Sequence, residues 1–235
     1  MVRQALVLVG GKASRLRSDG IQVPTTKAFL LLAGRPLLFW NLWALHAAGV
    51  QVVLIAGNEL AYLHKARAVL DTLPFRFQEV QYYHDFGRGV HGMPYYTRYL
   101  LDEQFIFECG HGLSRPEHYR SLVAAKASHN VVFSAFTIHP TNPRLPVVLH
   151  GPTVRLAEGS ESFQAAFAHP IVADQSYARS LIAHNFDIAK LLKCFLAEGR
   201  VRYVVNDLPP EFDTPEEMQL AKQAYEQYLT TTGLL

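Results

Sequence analysis

Short apolar runs alternate with longer segments of helical length along most of the chain. Residues 4–9 (Gln-Ala-Leu-Val-Leu-Val) are a brief apolar run stopped by Gly10-Gly11, the pattern of a strand buried on both faces. Residues 36–48 have helical length and begin with proline, which suits the first turn of a helix. Residues 52–56 predict the next strand and residues 59–73 the next helix. Beyond them the pattern predicts a strand near 75–83, a helix near 94–101, a strand at 105–107, a helix at 116–128 and a strand at 131–138. Residues 187–196, 201–205 and 215–229 return to helix, strand and helix.

Strands separated by helices imply an α/β fold with a Rossmann-like, mainly parallel sheet flanked by helices, because parallel strands need crossover connections. Those crossovers are expected to be right-handed, and ligands to bind beyond the carboxyl ends of the strands. Gly10, His111 and the residues around His84 all fall at predicted strand ends, where they can converge. From 139 to 152 the chain turns rich in Pro and His. That change marks a less regular subregion near 139–186 within one domain spanning 1–235. There is no internal repeat and no low-complexity tract.

Charge and composition narrow the function classes. The 235 residues carry 22 Lys+Arg against 20 Asp+Glu, a formal charge of +2, and 49% of them are hydrophobic. Disorder is disfavoured, and no run of Lys and Arg offers a patch for nucleic acid. Cys109 and Cys194 are too few for a disulfide scaffold and suit buried thiols in a reducing compartment. The N-terminal apolar run of about five residues is shorter than a signal-peptide core, so a cytoplasmic location is expected. Residues 36–58 lack Asp, Glu, Lys and Arg, but Gly49 breaks them. They read as a buried helix followed by a buried strand, and no membrane partner is expected.

The candidate chemistry concentrates in Val9-Gly10-Gly11-Lys12-Ala13-Ser14-Arg15-Leu16 and the later Pro24-Thr25-Thr26-Lys27. A glycine pair after a strand lets backbone approach a ligand and leaves its amides free to donate. Arg15 and Lys27 add positive charge beside that loop, as phosphates require. A solvated role for Lys27 and a loop-capping role for Arg15 stay open. The loop is neither GxGxxG nor GxxxxGK[ST], which disfavours a dehydrogenase-type fold and a P-loop NTPase. His111, at a central strand end, is a candidate site residue, with a structural role open. Cys109 and His111, two apart, would share a strand face, but with no marked oxyanion loop or third partner a thiol–histidine hydrolase is disfavoured. Cys109, His111 and His118 could be read as a zinc set, but the spacing is not a recognised one and the fourth ligand is missing. Trp40, Trp43, Tyr82, Tyr83, Tyr95, Tyr96 and Tyr99 read as core and helix packing. Thr214, Pro215 and Glu217 read as the cap of the last helix, beside a site role for Glu211 or Asp213.

With these motifs the chain resembles the nucleotidyltransferase superfamily that makes nucleoside-diphosphate sugars, whose fold is GT-A-like. Its loop L-x-G-G-x-G-x-R-L is matched by residues 8–16 with Ala13 at the later glycine, and its L-L-x-L-x-G-x-P-L segment by the residues after Lys27. Gly87-Arg88-Gly89 stands where the family carries its G-T-G-type base- and sugar-contacting loop. Residues 105–110 resemble the central strand that ends in G-D, and residues 211–217 the acidic D-x-[GD]-T-P-E-D segment. The resemblance runs from about residue 5 to about 221 and is weakest over 140–184. His111 and then Gly112 stand where the family has its magnesium Asp, and the sugar-phosphate lysine is missing at Glu158-Gly159. The run 111–116 also resembles the H-D-x-x-R-P segment of the methylerythritol-phosphate cytidylyltransferases, with Gly112 at their Asp.

The resemblance implies a nucleotide-diphospho-sugar transferase-like fold with an acceptor-side subregion near 139–186. It also implies transfer of a nucleoside monophosphate from an NTP to a small phosphorylated acceptor, releasing pyrophosphate. By family frequency the acceptor is a sugar phosphate, which would place the chain in sugar-nucleotide biosynthesis. Val9, Gly10, Gly11, Lys12, Ser14, Gly87, Arg88 and Gly89 would bind the nucleotide, Arg15, Lys27 and His111 would act in catalysis, and Glu211 and Asp213 would hold Mg²⁺ or another divalent cation. The alternative is a catalytically degenerate nucleotide- or sugar-nucleotide-binding protein on the same fold. A homo-oligomer is left open.

Overall fold

The computed structural model describes residues 2–11, 26–86, 89, 92–126, 130–137, 145–150, 153–159, 161–206 and 214–234. The described elements run β1 (Gln4–Leu8), a 3-10 turn (Lys27–Phe29), the small hairpin β2 (Leu31–Leu32) and β3 (Arg35–Pro36), α1 (Leu37–Ala47), β4 (Val52–Gly57), α2 (Leu60–Asp71) and β5 (Glu79–His84). They continue with α3 (Met93–Tyr96), β6 (Gln104–Cys109), α4 (Pro116–Ala125), β7 (Val131–Phe136), β8 (Pro146–His150), β9 (Thr153–Leu156) and β10 (Ala165–Asp174). The last are α5 (Gln175–Ala183), α6 (Ile188–Ala197), β11 (Val201–Asn206) and α7 (Pro215–Thr231).

The main sheet has the order β11-β7-β10-β6-β1-β4-β5, with β8 pairing on β10 and β9 on β8. β1 pairs in parallel with both β4 and β6, β4 with β5, and β11 with β7, whereas β10 runs antiparallel to its neighbours β6 and β7. The sheet is therefore mainly parallel and flanked by helices, as expected. Strand side chains alternate between two cores. Ala5, Val7, Val53, Ile55 and Ile106 pack with buried residues of α1, α2, α4 and α7. Leu6, Leu8, Leu54, Phe105 and Phe107 pack with those of α3, α5 and α6. Because both faces are covered, β1, β4 and β7 are buried at every position, which is why they read as continuous apolar runs.

Several elements differ from the sequence expectation. The strand expected near 75–83 begins only at Glu79. Phe75 and Phe77 are taken up instead by His46 at the end of α1, Phe75 stacking on its ring at 3.9 Å. The helix expected near 94–101 is the four-residue α3 followed by turns through Leu100. The stretch 139–186, expected to be less regular, carries β8, β9, the ten-residue β10 and α5 among its described residues. β10 (AAFAHPIVAD) shows no strict alternation because both of its faces are packed, and its register with β7 shifts between Ala168 and Ile171. Residues 36–58 form the expected buried helix and strand, and no described helix is long and apolar enough to cross a membrane. The ends of two expected elements, at 127–129 and 138, lie outside the described residues.

A polar clamp joins β10 to α4 and α5. Asp174 caps α5 by accepting from the Ser176 and Tyr177 amides at 2.9 and 3.1 Å, while its other oxygen accepts from Lys126 Nζ at 3.2 Å and Asn130 Nδ2 at 3.0 Å. Burial pushes the Asp174 carboxyl up, but the Ser176 hydrogen bond and the Lys126 charge outweigh it and hold the group below its ordinary value. A depressed carboxylate contributes stability that is present above its unfolded pKa and lost as pH falls through the folded one. Lys126→Met is expected to cost about 2–3 kcal/mol at neutral pH, because it leaves a largely buried carboxylate without its cation. The difference from wild type should begin to shrink below about pH 4, where the unfolded carboxylate protonates, and vanish as pH falls through the lower folded value. Thermal melts at pH 7 and pH 3 check both expectations.

Candidate active site

The carboxyl ends of β1, β4, β5 and β6 open on one side of the sheet and bring most of the described candidate residues together. Leu8 is in register with Ala56 of β4 and Cys109 of β6, so three strands end level. Pairing runs one step further: the Val9 amide donates to Ala56 O at 2.8 Å and the Gly110 amide to Leu8 O at 2.7 Å. At the next position a side chain would collide, since a Cβ on Gly10 would lie 2.7 Å from Asn58 Oδ1. Gly11 then takes φ +109°, which only glycine adopts readily. These two residues form the glycine turn foreseen from the sequence.

Thr26 connects this turn to Lys27. Its hydroxyl lies 3.4 Å from Gly10 O and accepts from the Ala28 amide at 3.3 Å, capping the 3-10 turn that begins at Lys27. Lys27 is half-buried rather than in an exposed loop. Next to Gly10, the Asn58 carbonyl oxygen lies 3.2 Å from His84 Nε2, and the buried Asn58 Oδ1 has no hydrogen-bond partner among the described residues. Asp85 is buried with its amide on Gly57 O, and Phe86 projects into solvent with φ +51° and its ring against His84. Gly89 takes φ +86° ahead of α3.

His111 is half-buried in the turn after β6. β6 ends at Cys109, so His111 follows it in the turn and does not share its strand face. Cys109 Sγ lies 3.5 Å from Nδ1 of His169 on β10. His118 does not join a zinc set: its buried Nε2 lies 2.8 Å from Ser134 Oγ, which donates to Pro170 O. Of the aromatic set read as packing, Trp40 is buried, while Tyr82 and Tyr99 are exposed. At the C-terminal motif, Thr214 and Glu217 form the expected reciprocal capping box with Pro215 in the first turn.

Lys12, Ser14, Arg15, Gly87, Arg88, Glu211 and Asp213 lie outside the described residues. Among the described residues no three His, Cys, Asp or Glu side chains are grouped to hold a metal ion. The described side chains at the mouth offer imidazole, ammonium, the Thr26 hydroxyl and the Asn58 amide, with Asp85 buried beneath, and this set by itself is a poor match to the carboxylate-rich shell that Mg²⁺ prefers. Asn58, Thr26 and His169 were not singled out by sequence. Gly57-Asn58 repeats the strand-then-glycine signature of Gly10-Gly11, which could have flagged the first; nothing local marks the other two.

No family model matches the sequence, and no curated protein matches it. Solved structures do. The inositol-1-phosphate CTP transferase from T. maritima is similar with a TM-score of 0.76 and 17% identity, over 96% of this chain and 94% of that one. A putative glucose-1-phosphate thymidylyltransferase from Bacillus anthracis, in complex with a sucrose, is similar with a TM-score of 0.70 and 12% identity, over 96% and 95%. HddC from Yersinia pseudotuberculosis gives 0.67 and 14%, over 95% and 100%. Over nearly its whole length the chain has the α/β fold of the sugar-phosphate nucleotidyltransferases.

Proposed function

We propose that the chain is a nucleotidyltransferase that moves a nucleoside monophosphate from an NTP to a small phosphorylated acceptor, a sugar phosphate, and releases pyrophosphate. The observation that carries this reading is the tie through Thr26 between Lys27 and the Gly10–Gly11 turn at the end of β1. It supports a single phosphate-binding unit made of backbone amides and one ammonium group. In the proposed reaction the acceptor phosphate attacks the α-phosphorus in line. Such chemistry needs positioning and charge neutralisation more than covalent participation. Gly10 and Gly11 amides, Lys27 and Arg15 would hold the triphosphate and stabilise charge on the departing pyrophosphate. Val9, Lys12, Ser14 and Gly87-Arg88-Gly89 would complete the nucleotide site, with His111 lining the cleft. Glu211 and Asp213 are the proposed holders of a divalent cation, which would supply further counter-charge to the phosphates.

Pyrophosphate release, measured with each NTP against a panel of sugar phosphates, tests the reading. Binding of an NTP without turnover in any combination would assign the degenerate binding-protein alternative, to which the imidazole at position 111 also points. Lys27→Met is expected to lower turnover by about a hundred-fold or more, since it removes charge from the transition state. Its melting temperature should stay within a few degrees of wild type; unchanged kinetics would take Lys27 out of the site. Activity should fail in excess chelator and return with Mg²⁺. His111→Asp is expected to tighten the Mg²⁺ requirement, because a carboxylate suits that ion better than imidazole. His111→Ala should lower kcat more than NTP affinity. Titrating Mg²⁺ against initial rates separates these variants.

A further inference from the structure

A charged side chain sits in the layer beneath the mouth, unused by the proposed reaction. Glu108 is the penultimate residue of β6 and is wholly buried. It lies on the same face as Ile106, toward α1 and α4. One carboxylate oxygen accepts from the Cys109 amide at 2.7 Å and the other from the Tyr119 hydroxyl at 2.8 Å. Burial first, and then the adjacent Glu108, hold the Tyr119 phenol well above its ordinary range, so it stays a donor. Asn41 on α1, also buried, completes the cluster. Its Nδ2 donates to Tyr119 Oη at 3.2 Å and reaches Gly112 O at 3.3 Å and Cys109 O at 3.5 Å.

These contacts bracket His111. Cys109 is gripped on one side of it and Gly112 on the other, and the Gly112 amide closes the turn onto Cys109 O at 2.8 Å. The fit is close enough to exclude any side chain at 112. A Cβ there would lie 2.4 Å from Glu108 Oε1, although the Gly112 backbone is not in the left-handed region. Glycine is required at 112 by the carboxylate and not by the turn. An apolar side chain at 108 would fill the same space without the desolvation cost of a buried carboxylate. What the carboxylate adds is direction, since it fixes an amide and a hydroxyl at defined places.

We infer that Glu108 is a positioning residue, which with Tyr119 and Asn41 sets the 109–112 turn and so presents His111 to the cleft. The effect on turnover rests on the proposed nucleotidyl transfer; the effect on His111 does not. Glu108→Gln and Tyr119→Phe, each made in the full chain, test it through the ring resonances of His111, assigned by their loss in His111→Asn. In the free protein both variants should melt cooperatively yet shift or broaden the His111 signals. The His46 signals, from a ring stacked on Phe75, should stay in place. Where the wild type turns over NTP, kcat should fall roughly ten-fold with KM within about three-fold, because the Gly10–Gly11–Lys27 unit is untouched. His111 signals unchanged in the variants, with only a lower melting temperature, would overturn the inference. Should Glu108→Gln not fold, Tyr119→Phe, which deletes one hydroxyl, decides alone. A wild type without turnover would defeat the proposed reaction but leave the resonance comparison to decide the role of Glu108.

Discussion

The backbone pairing of β1 between β4 and β6 is the constraint on which the site depends. Each residue of β1 is matched on both sides, Leu8 to Ala56 and to Cys109. Helices cover both of its faces, so its side chains are buried throughout and apolar from Ala5 to Leu8, and pairing on both edges satisfies its polar backbone within the sheet. Where pairing stops, the backbone groups become available. The stop occurs level across the central strands, at Gly10 and Gly110, with Gly57 ending β4 alongside. Backbone amides, a tethered lysine and a histidine turn therefore share one rim without any of them having to leave the core.

Charge at that rim is arranged in two layers. The outer layer holds Lys27, His84, Asn58 and His111, side chains that carry hydrogen-bond donors. The described carboxylates nearby, Asp85 and Glu108, are withdrawn into the buried layer. There Glu108 acts on backbone geometry through Cys109 and Gly112. A buried acid of this kind is sustained by its donors and pays for directionality in desolvation, the usual pattern for a group that supports a site from behind.

The second half of the sheet is held differently. β10 enters antiparallel between β6 and β7, so its first residues lie beside the carboxyl ends of its neighbours, bringing His169 against Cys109. At its far end Asp174 closes the insertion by capping α5 and meeting Lys126 and Asn130. Arg200 adds to the same cluster through Asn130 and Ser176 while its guanidinium stacks on Phe195. The clamp ties α5 and the residue after α4 to one end of the sheet, away from the rim.

What the sequence determined alone was the local grammar. The apolar runs at 4–9 and 52–56, the proline-led helices, the glycine pair after β1 and the Thr214-Pro215-Glu217 cap were all readable, because each is written within a few neighbouring residues. The expectation of a ligand edge came from strand order, that of Lys27 from its charge beside the glycine loop and that of His111 from its place at a strand end. What only the tertiary structure decided were pairings between distant segments. β10 carries no clear strand signature because His169-Pro170 interrupts its alanine-rich apolar run, and its antiparallel sense depends on neighbours thirty or more residues away. The approach of Cys109 to His169, sixty residues on, is decided the same way. Glu108 reads as a lapse in an apolar strand until Asn41 and Tyr119, from two different helices, are placed around its carboxylate. A hydrogen-bond network acquires its meaning from geometry across the fold, and no spacing along one chain can record it.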